Sequence, residues 1–167
     1  MNELERFRRE KDEFFARQPQ SPIPAGERAG FKGLLYFPEN PELDLIVRVD
    51  EFPAKEEVEF QTSSGDVQHF RRFGKIKFSV NGVEVGLTIY DGEHGFFLPF
   101  VDSQAGKETY GAGRYLEPEP LGDGRIRVDF NRAYNPFCAY NENYSCPLTP
   151  FENRLNVPIE AGEKNYK

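Results

Sequence analysis

The chain has 167 residues, of which 38% are hydrophobic, and this size and composition are typical of one globular domain with its own core. Its net charge of −7 disfavours nucleic acid as a partner, because phosphate contacts require clustered Lys and Arg. The sequence contains no run of about 18 apolar residues and no apolar leader, so we expect no membrane contact and a cytoplasmic protein.

The N-terminal segment is charged and amphipathic. Its apolar side chains fall roughly on one helical face, namely Leu4, Phe7, Phe14 and Phe15. This spacing predicts an α-helix over residues 1–17. Residues 18–30 contain three prolines, which cannot continue a helix, and they are expected to form an extended connector. The rest of the chain, 31–167, is predicted to be a single β-rich domain.

Short apolar or alternating runs predict the first strands, at residues 31–37, 43–49 and 57–62. The strongest signal is a hairpin in which two alternating segments flank Asn81-Gly82. Asn-Gly supplies the two positive-φ residues that a type I′ turn requires.

Two later strands, 109–116 and 125–130, are predicted to pair with each other around the turn Gly122-Asp123-Gly124. The proline-containing segment 147–163 is predicted to add an edge strand, because Leu155, Val157 and Ile159 alternate in it. About eight strands with short turns and one helix indicate a mainly β fold, an antiparallel β-barrel or sandwich with an N-terminal α-helix.

Two polar segments are candidates for chemistry. The glycine-rich stretch 102–116 contains Asp102 and Arg114, and a guanidinium there could hold a carboxylate or phosphate. The alternative is that Arg114 pairs with Asp102 or Asp129 as part of the structure. The second stretch, 131–144, is dense in Asn and Tyr, which suits either a polar ligand or hydrogen bonds to the local backbone.

Cys138 and Cys146 are the only two cysteines of the chain, and neither a CxxC motif nor a neighbouring histidine accompanies them. Because zinc ordinarily has four ligands, the two thiols are poor metal candidates, and we expect no cofactor. A disulfide and two separate buried thiols remain as alternatives, with reduced thiols expected in the cell. A catalytic Cys138 would need a base such as His94, yet a lone histidine in a turn is usually solvated.

The motif DSQAGKETYGAGRYL, followed by VDFNRAYNPFCAYNENYSCPLTPFENRLNVPIEAGE, closely resembles the DUF1684 family of bacterial and archaeal proteins. The resemblance implies no reaction, substrate or cofactor. It does imply that a set of residues occupies the signature positions of the family: Asp102, Thr109, Tyr110, Gly113, Arg114, Tyr115, Asp129, Asn131, Tyr134, Asn135, Pro136, Cys138, Cys146, Pro147 and Asn153.

Three functions remain open from the sequence. The leading hypothesis is a β-domain that binds a small polar or anionic molecule, in a pocket lined by Arg114, Tyr115, Asn131, Tyr134, Asn135 and Tyr140, with Asn153 as a further candidate. The second is a hydrolase-like enzyme with Asp102 or Asp129 as general base and Arg114 stabilising an anion, His94 being a further catalytic candidate. The third is a structural or interaction protein without a small ligand. The oligomeric state is left open.

Overall fold

The computed structural model describes residues 1–166, and its first element is the helix α1, Glu3–Arg17. Asn2 caps the helix: its side chain accepts a hydrogen bond from the Glu5 amide, and the Glu5 carboxylate accepts one from the Asn2 amide. Leu4 and Phe15 are buried, which confirms the predicted amphipathic helix. No helix in the described part of the chain is long and apolar enough to cross a bilayer.

The connector and the strand predicted after it differ from expectation. Residues Ala25–Gly30 form a 3₁₀ helix, and the preceding residues contain a turn closed by a bond from the Ser21 amide to the Gln18 carbonyl at 3.0 Å, so the connector is not extended. No regular strand forms over 31–37, where Tyr36 makes a single bridge to Glu163. The Leu34 amide donates to a carboxylate oxygen of Asp12 at 3.1 Å, so this segment uses its backbone to dock against α1 instead of joining a sheet.

The described residues contain nine strands, and every strand pair is antiparallel. They are β1 Asp44–Arg48, β2 Asp50–Glu51, β3 Glu57–Gln61, β4 Val67–Val80, β5 Val83–Gly92, β6 Gly95–Phe100, β7 Arg114–Leu116, β8 Glu119–Gly122 and β9 Arg125–Asp129. Three of them form a sheet in the order β1-β9-β8, and the other six form a sheet in the order β2-β4-β5-β6-β7 with β3 also paired to β4. The mainly β, antiparallel fold with one N-terminal helix is therefore confirmed.

The β4–β5 hairpin is the prediction that the structure matches most closely. Asn81 and Gly82 have φ values of 51° and 82°, as a type I′ turn requires. Val80 and Val83 face each other directly across the turn.

The predicted partner of β9 is wrong. β9 pairs with β1 and with β8, whereas β7 pairs with β6. The turn itself is correctly placed, since Gly122, Asp123 and Gly124 all have positive φ. β8 contains Pro120, which argues against a strand in the sequence, and the structure accommodates the proline because β8 lies at the edge of its sheet.

The edge strand predicted in 147–163 is also absent. This segment makes three isolated bridges, in which Pro147, Arg154 and Glu163 pair with Thr62, Val101 and Tyr36, but it forms no ladder with the described strands. Val157 and Ile159 are buried, and the Ile159 amide donates to the Asp102 carboxylate at 2.8 Å. The segment is therefore a brace held by a buried side chain.

Both sheets contribute side chains to one apolar core. Its fully buried members are Ile76, Leu87, Ile89, Leu98, Phe100, Val128, Phe130, Ile159 and Ala161. A second, smaller cluster lies beneath α1 and joins Phe15 to Ile23, Leu34 and Tyr140. The helix is thus anchored to the domain by aromatic contacts, and its other side chains are free to line a surface.

Candidate functional site

Arg114 lies at the centre of a buried polar network and does not face a pocket. Its side chain is 1% exposed, and its guanidinium donates to the carbonyl oxygens of Ala161, Glu163 (3.1 Å) and Ile159 (2.9 Å). The Asp102 carboxylate is 3.6 Å away. Burial lowers the pKa of Arg114 to about 10, against the opposing effect of the nearby carboxylates. The guanidinium therefore holds the C-terminal segment through its carbonyl oxygens. The structural alternative to ligand binding named Asp102 or Asp129 as its partner, and of these two Asp102 lies beside it.

Asp102 is occupied in the same way. One carboxylate oxygen accepts from the Thr109 hydroxyl at 2.6 Å, and the other accepts from the Ile159 amide at 2.8 Å. The residue is buried beside Arg114. A general base must reach the proton that it removes, and Asp102 is 5% exposed with both carboxylate oxygens already bonded.

Glu163 is the member of this network that the sequence did not reveal. It is 2% exposed, and it pairs with the ammonium of Lys11 on α1. It also accepts from the Asn135 amide at 3.0 Å and from the Tyr140 hydroxyl at 2.9 Å. Lys11 and Glu163 are 152 residues apart in the chain, so no local pattern marks them as partners.

Asn131 and Asn153 act as side-chain clamps on the backbone. Asn153 accepts from the Thr88 amide at 2.8 Å and donates to the carbonyls of Thr88 and Pro99 at 2.9 and 2.8 Å. Asn131 likewise accepts from the Asn40 amide at 2.7 Å and donates to its carbonyl at 2.9 Å. Each amide thereby supplies hydrogen bonds that a neighbouring strand would otherwise provide.

Three further candidates are buried as well. The Tyr115 hydroxyl donates to the Pro147 carbonyl, and the Asn135 side chain donates to the Tyr140 hydroxyl at 3.2 Å and to the Lys164 carbonyl at 3.0 Å. Burial raises the pKa of both tyrosines, so they remain neutral donors. Of the six side chains expected around one pocket, only Tyr134 lines the main groove of the surface. The others are packed into the domain, where their polar atoms bond buried backbone groups or, in Tyr140, the side chains of Glu163 and Asn135.

The main groove runs between α1 and the β7–β9 region and has a volume of about 790 Å³. Its apolar wall consists of Phe7, Phe14, Phe15, Leu116, Pro118, Val128 and Phe137. Its polar lining consists of Glu3, Glu10, Lys11, Glu117, Glu119, Arg127, Asp129, Arg132 and Tyr134. The sequence identified Tyr134 and Asp129 but not the groove, because its helical wall, within residues 3–15, and its sheet wall, within residues 116–137, are far apart in the chain.

The bases of the groove are already paired. Lys11 bonds Glu163, and its ammonium lies 4.9 Å from the centre of the Tyr134 ring. Arg132 approaches both Asp129 at 3.6 Å and Glu3 at 3.7 Å. 

The Arg127 guanidinium forms a bidentate ion pair with the Asp44 carboxylate, with N–O distances of 3.0 and 2.9 Å, and lies 3.6 Å from the Asp129 carboxylate. The Tyr134 hydroxyl donates to the Glu117 carboxylate. Burial is the largest cause that raises the pKa of Tyr134, and the negative charge of Glu117 is the second. The lining contains five carboxylates against three bases, an excess of two negative charges.

The remaining candidates lie elsewhere. His94 is exposed in the turn between β5 and β6 and is not part of the groove. Cys138 and Cys146 are free thiols, but they are adjacent, since the Cys138 amide donates to the Cys146 sulfur at 3.3 Å. The thiols are therefore unbonded, as one of the two alternatives stated, but they lie beside each other and Cys138 is only partly buried. Within residues 1–166 no cluster of three or more His, Cys, Asp or Glu side chains is placed to hold a metal ion.

The antiparallel fold and its C-terminal brace define a small β domain whose signature residues are mostly internal. A family model described as "Protein of unknown function (DUF1684)" matches residues 29–164, and the chain belongs to this family. The resemblance drawn from the signature motif is thereby confirmed. The matched region contains the sheet wall of the groove, whereas α1 precedes it.

One solved structure similar to this chain is the solution NMR structure of an uncharacterized protein of Haloarcula marismortui. The two chains are 38% identical, and the match covers 96% of this chain and 91% of the other with a TM-score of 0.72. None of the curated proteins matches the chain.

Proposed function

We propose that the groove between α1 and the β7–β9 region binds a small molecule with an apolar body and an uncharged polar head group. The observation that carries this proposal is a groove of about 790 Å³ with an aromatic wall and a polar lining. Pockets for small ligands commonly have volumes of about 300–1,000 Å³, mostly apolar walls and a few polar groups that orient the ligand.

The aromatic wall supplies most of the affinity in this proposal. Four phenylalanines contribute to it, and Phe14 remains 37% exposed on α1. Covering apolar surface contributes about 25 cal/mol per Å² removed from water, so an aliphatic or aromatic body gains by lying there. Tyr134 stands at the polar side with its hydroxyl on Glu117, where a ligand hydroxyl or amide can join the hydrogen bonds.

The charges favour a neutral head group over an anionic one. Carboxylates outnumber bases in the lining by two, and each base already has a carboxylate partner within 4 Å. An anion would have to displace one of these partners and lie among the remaining acids. Of the two ligands that the sequence predicts, a small polar or a small anionic molecule, the charges of the groove favour the uncharged polar one.

The test compares amides and carboxylates built on the same phenylalkyl skeletons. We expect the amides to raise the melting temperature and to shift the NMR signals of α1 and β9. Ligand at 100 times its Kd stabilises the native state by about 2.7 kcal/mol, which corresponds to a rise of roughly 5–11 °C for a chain of this size. Stronger binding of the carboxylates would overturn the assignment of a neutral head group.

Two phenylalanines provide the matched variants. Phe14→Ala shortens the apolar wall, whereas Phe151→Ala removes an 86% exposed ring outside the groove. We expect ligand shifts to weaken in the first variant and to persist in the second. Equal shifts in both variants would show that the ligand does not use the groove.

We further propose a prokaryotic, cytoplasmic origin. The similar protein comes from the archaeon Haloarcula marismortui, and two adjacent thiols that are not joined fit a reducing compartment.

A further inference from the structure

The two cysteines are eight positions apart in the chain, and the fold brings them into contact. Cys138 lies in the 3₁₀ turn Phe137–Ala139, and its amide donates to the Cys146 sulfur at 3.3 Å. Cys146 is fixed against the β3–β4 turn, because its amide donates to the Ser63 hydroxyl at 3.1 Å and its carbonyl accepts from the Ser63 amide at 2.9 Å. Both backbones are thus held so that the side chains face each other.

The two thiols differ in their access to solvent. Cys138 is partly exposed, whereas Cys146 is buried. A soluble reagent therefore reaches Cys138 first, and Cys146 is available only to a group that already lies beside it. This asymmetry matches the arrangement of an attacking thiol and a resolving thiol.

We propose that Cys138 and Cys146 form a reversible redox pair, in which Cys138 reacts with a hydroperoxide and Cys146 resolves the product as an intramolecular disulfide. This function is independent of ligand binding in the groove.

The steps balance with a hydroperoxide as the oxidant. The Cys138 thiolate attacks the terminal oxygen of ROOH, an S–O bond forms, the O–O bond breaks, and the leaving alkoxide takes a proton to give ROH. The Cys146 sulfur then attacks the sulfenic sulfur of Cys138, an S–S bond forms, and the S–O bond breaks. The hydroxide released takes the proton of Cys146 and leaves as water.

The surroundings of Cys138 favour its thiolate by hydrogen bonding. The hydrogen bond from the Cys146 thiol lowers the pKa of Cys138 to about 6. Burial opposes this shift, whereas hydrogen bonds from Tyr110 and Ser63 add to it. The hydrogen bond between the two thiols raises the pKa of Cys146. The Tyr110 hydroxyl lies 4.0 Å from the Cys138 sulfur, and burial raises its pKa to about 12, so it remains a donor at neutral pH. Tyr115, the other titratable neighbour, is likewise kept neutral by burial.

The first experiment uses the unmodified protein. Reduced protein is alkylated with iodoacetamide across a pH series, and the modified cysteine is located by peptide mass mapping. We expect Cys138 to react first, with a midpoint near pH 6 instead of the ordinary value of about 8.5. The readout is the pH midpoint of alkylation and not the alkylation rate at a single pH. A lower pKa gives roughly 30-fold more thiolate at pH 7, but each thiolate is a weaker nucleophile, so the alkylation rate changes little.

The second experiment adds one equivalent of hydrogen peroxide. We expect an intact mass lower by two hydrogens, a peptide that links Cys138 to Cys146, and reversal by dithiothreitol. In Cys146→Ser the sulfenic acid should persist and be trapped by dimedone, whereas Cys138→Ser should take no label. Tyr110→Phe should move the alkylation midpoint upward, because one donor to the sulfur is lost.

Simultaneous alkylation of both cysteines near pH 8.5, or peroxide products that contain only disulfides between molecules, would overturn the proposal. Both results come from the unmodified chain, so they do not depend on the folding of any variant.

Discussion

Replacement of Asn153 by alanine tests the idea that the signature residues hold the domain together. Asn153 is fully buried beside β5 and β6, and its side chain makes three hydrogen bonds to the backbone of Thr88 and Pro99. Asn153→Ala removes all three bonds and introduces no partner for the backbone groups that made them.

The expected cost follows from these contacts. Each neutral hydrogen bond contributes about 1 kcal/mol, and a buried group left without a partner costs about 1–3 kcal/mol. With three bonds lost, we expect the free energy of unfolding to fall by about 3–4 kcal/mol. For a chain of this size that loss corresponds to a melting temperature lower by roughly 6–16 °C.

Urea denaturation followed by far-UV circular dichroism measures this change, since the chain has no Trp to report by fluorescence. Asn143→Ala, at an exposed position of the same signature stretch, is the matched control and should cost under about 0.5 kcal/mol. If Asn153→Ala unfolds within 1 kcal/mol of the control, the clamp does not contribute as the hydrogen bonds indicate, and the reasoning is refuted.

Three other substitutions probe different contacts. Glu163→Gln removes the buried partner of Lys11 and should lower the free energy of unfolding by about 3 kcal/mol in the same urea assay. Gly113→Ala should cost about 2–4 kcal/mol by thermal denaturation, because Gly113 has φ +102° and an added Cβ would lie 2.6 Å from the Phe100 carbonyl oxygen. A hydrogen bond from Arg72 is the main cause that lowers the pKa of Glu152 in the folded chain. The ionised carboxylate therefore stabilises the fold above the unfolded pKa of about 4.3, and this contribution is lost as the pH falls through the folded pKa. Glu152→Gln should therefore show a smaller loss of stability between pH 6 and pH 3 than the unmodified chain.

Matched controls accompany these variants. Glu160→Gln changes an exposed carboxylate near Glu163 in the chain, and Gly26→Ala adds a methyl group where no atom lies within 4 Å. We expect both to melt close to the unmodified chain. A cost for Glu163→Gln no larger than for Glu160→Gln would show that the ion pair with Lys11 adds nothing. An unchanged pH dependence in Glu152→Gln would contradict the role of the Arg72 contact.

The buried network and the groove meet at Lys11. Its ammonium bonds Glu163 inside the domain and lies over the ring of Tyr134 at the groove wall. A ligand that reorients Tyr134 would therefore change the surroundings of the ion pair. Binding in the groove and the stability of the C-terminal brace should be coupled for this reason.

The amino-acid sequence by itself determined the features whose signals are local. The apolar face and the Asn2 cap specify α1, and Asn81-Gly82 specifies the β4–β5 turn, because each depends on residues a few positions apart. The signature motif likewise identified the family, since a motif of that length is specific without any knowledge of its contacts.

Only the tertiary structure decided which segments meet. The partners of β9, the ion pair of Lys11 with Glu163 and the adjacency of the two cysteines all join residues whose spacing in the chain carries no signal. Arg114 shows the reason most clearly. Its residue type suits a ligand or a structural contact equally well, and the choice depends on the C-terminal carbonyls that packing brings to its guanidinium. Long-range packing, which no short stretch encodes, buried most of the signature residues and formed the groove from two segments that are far apart in the chain.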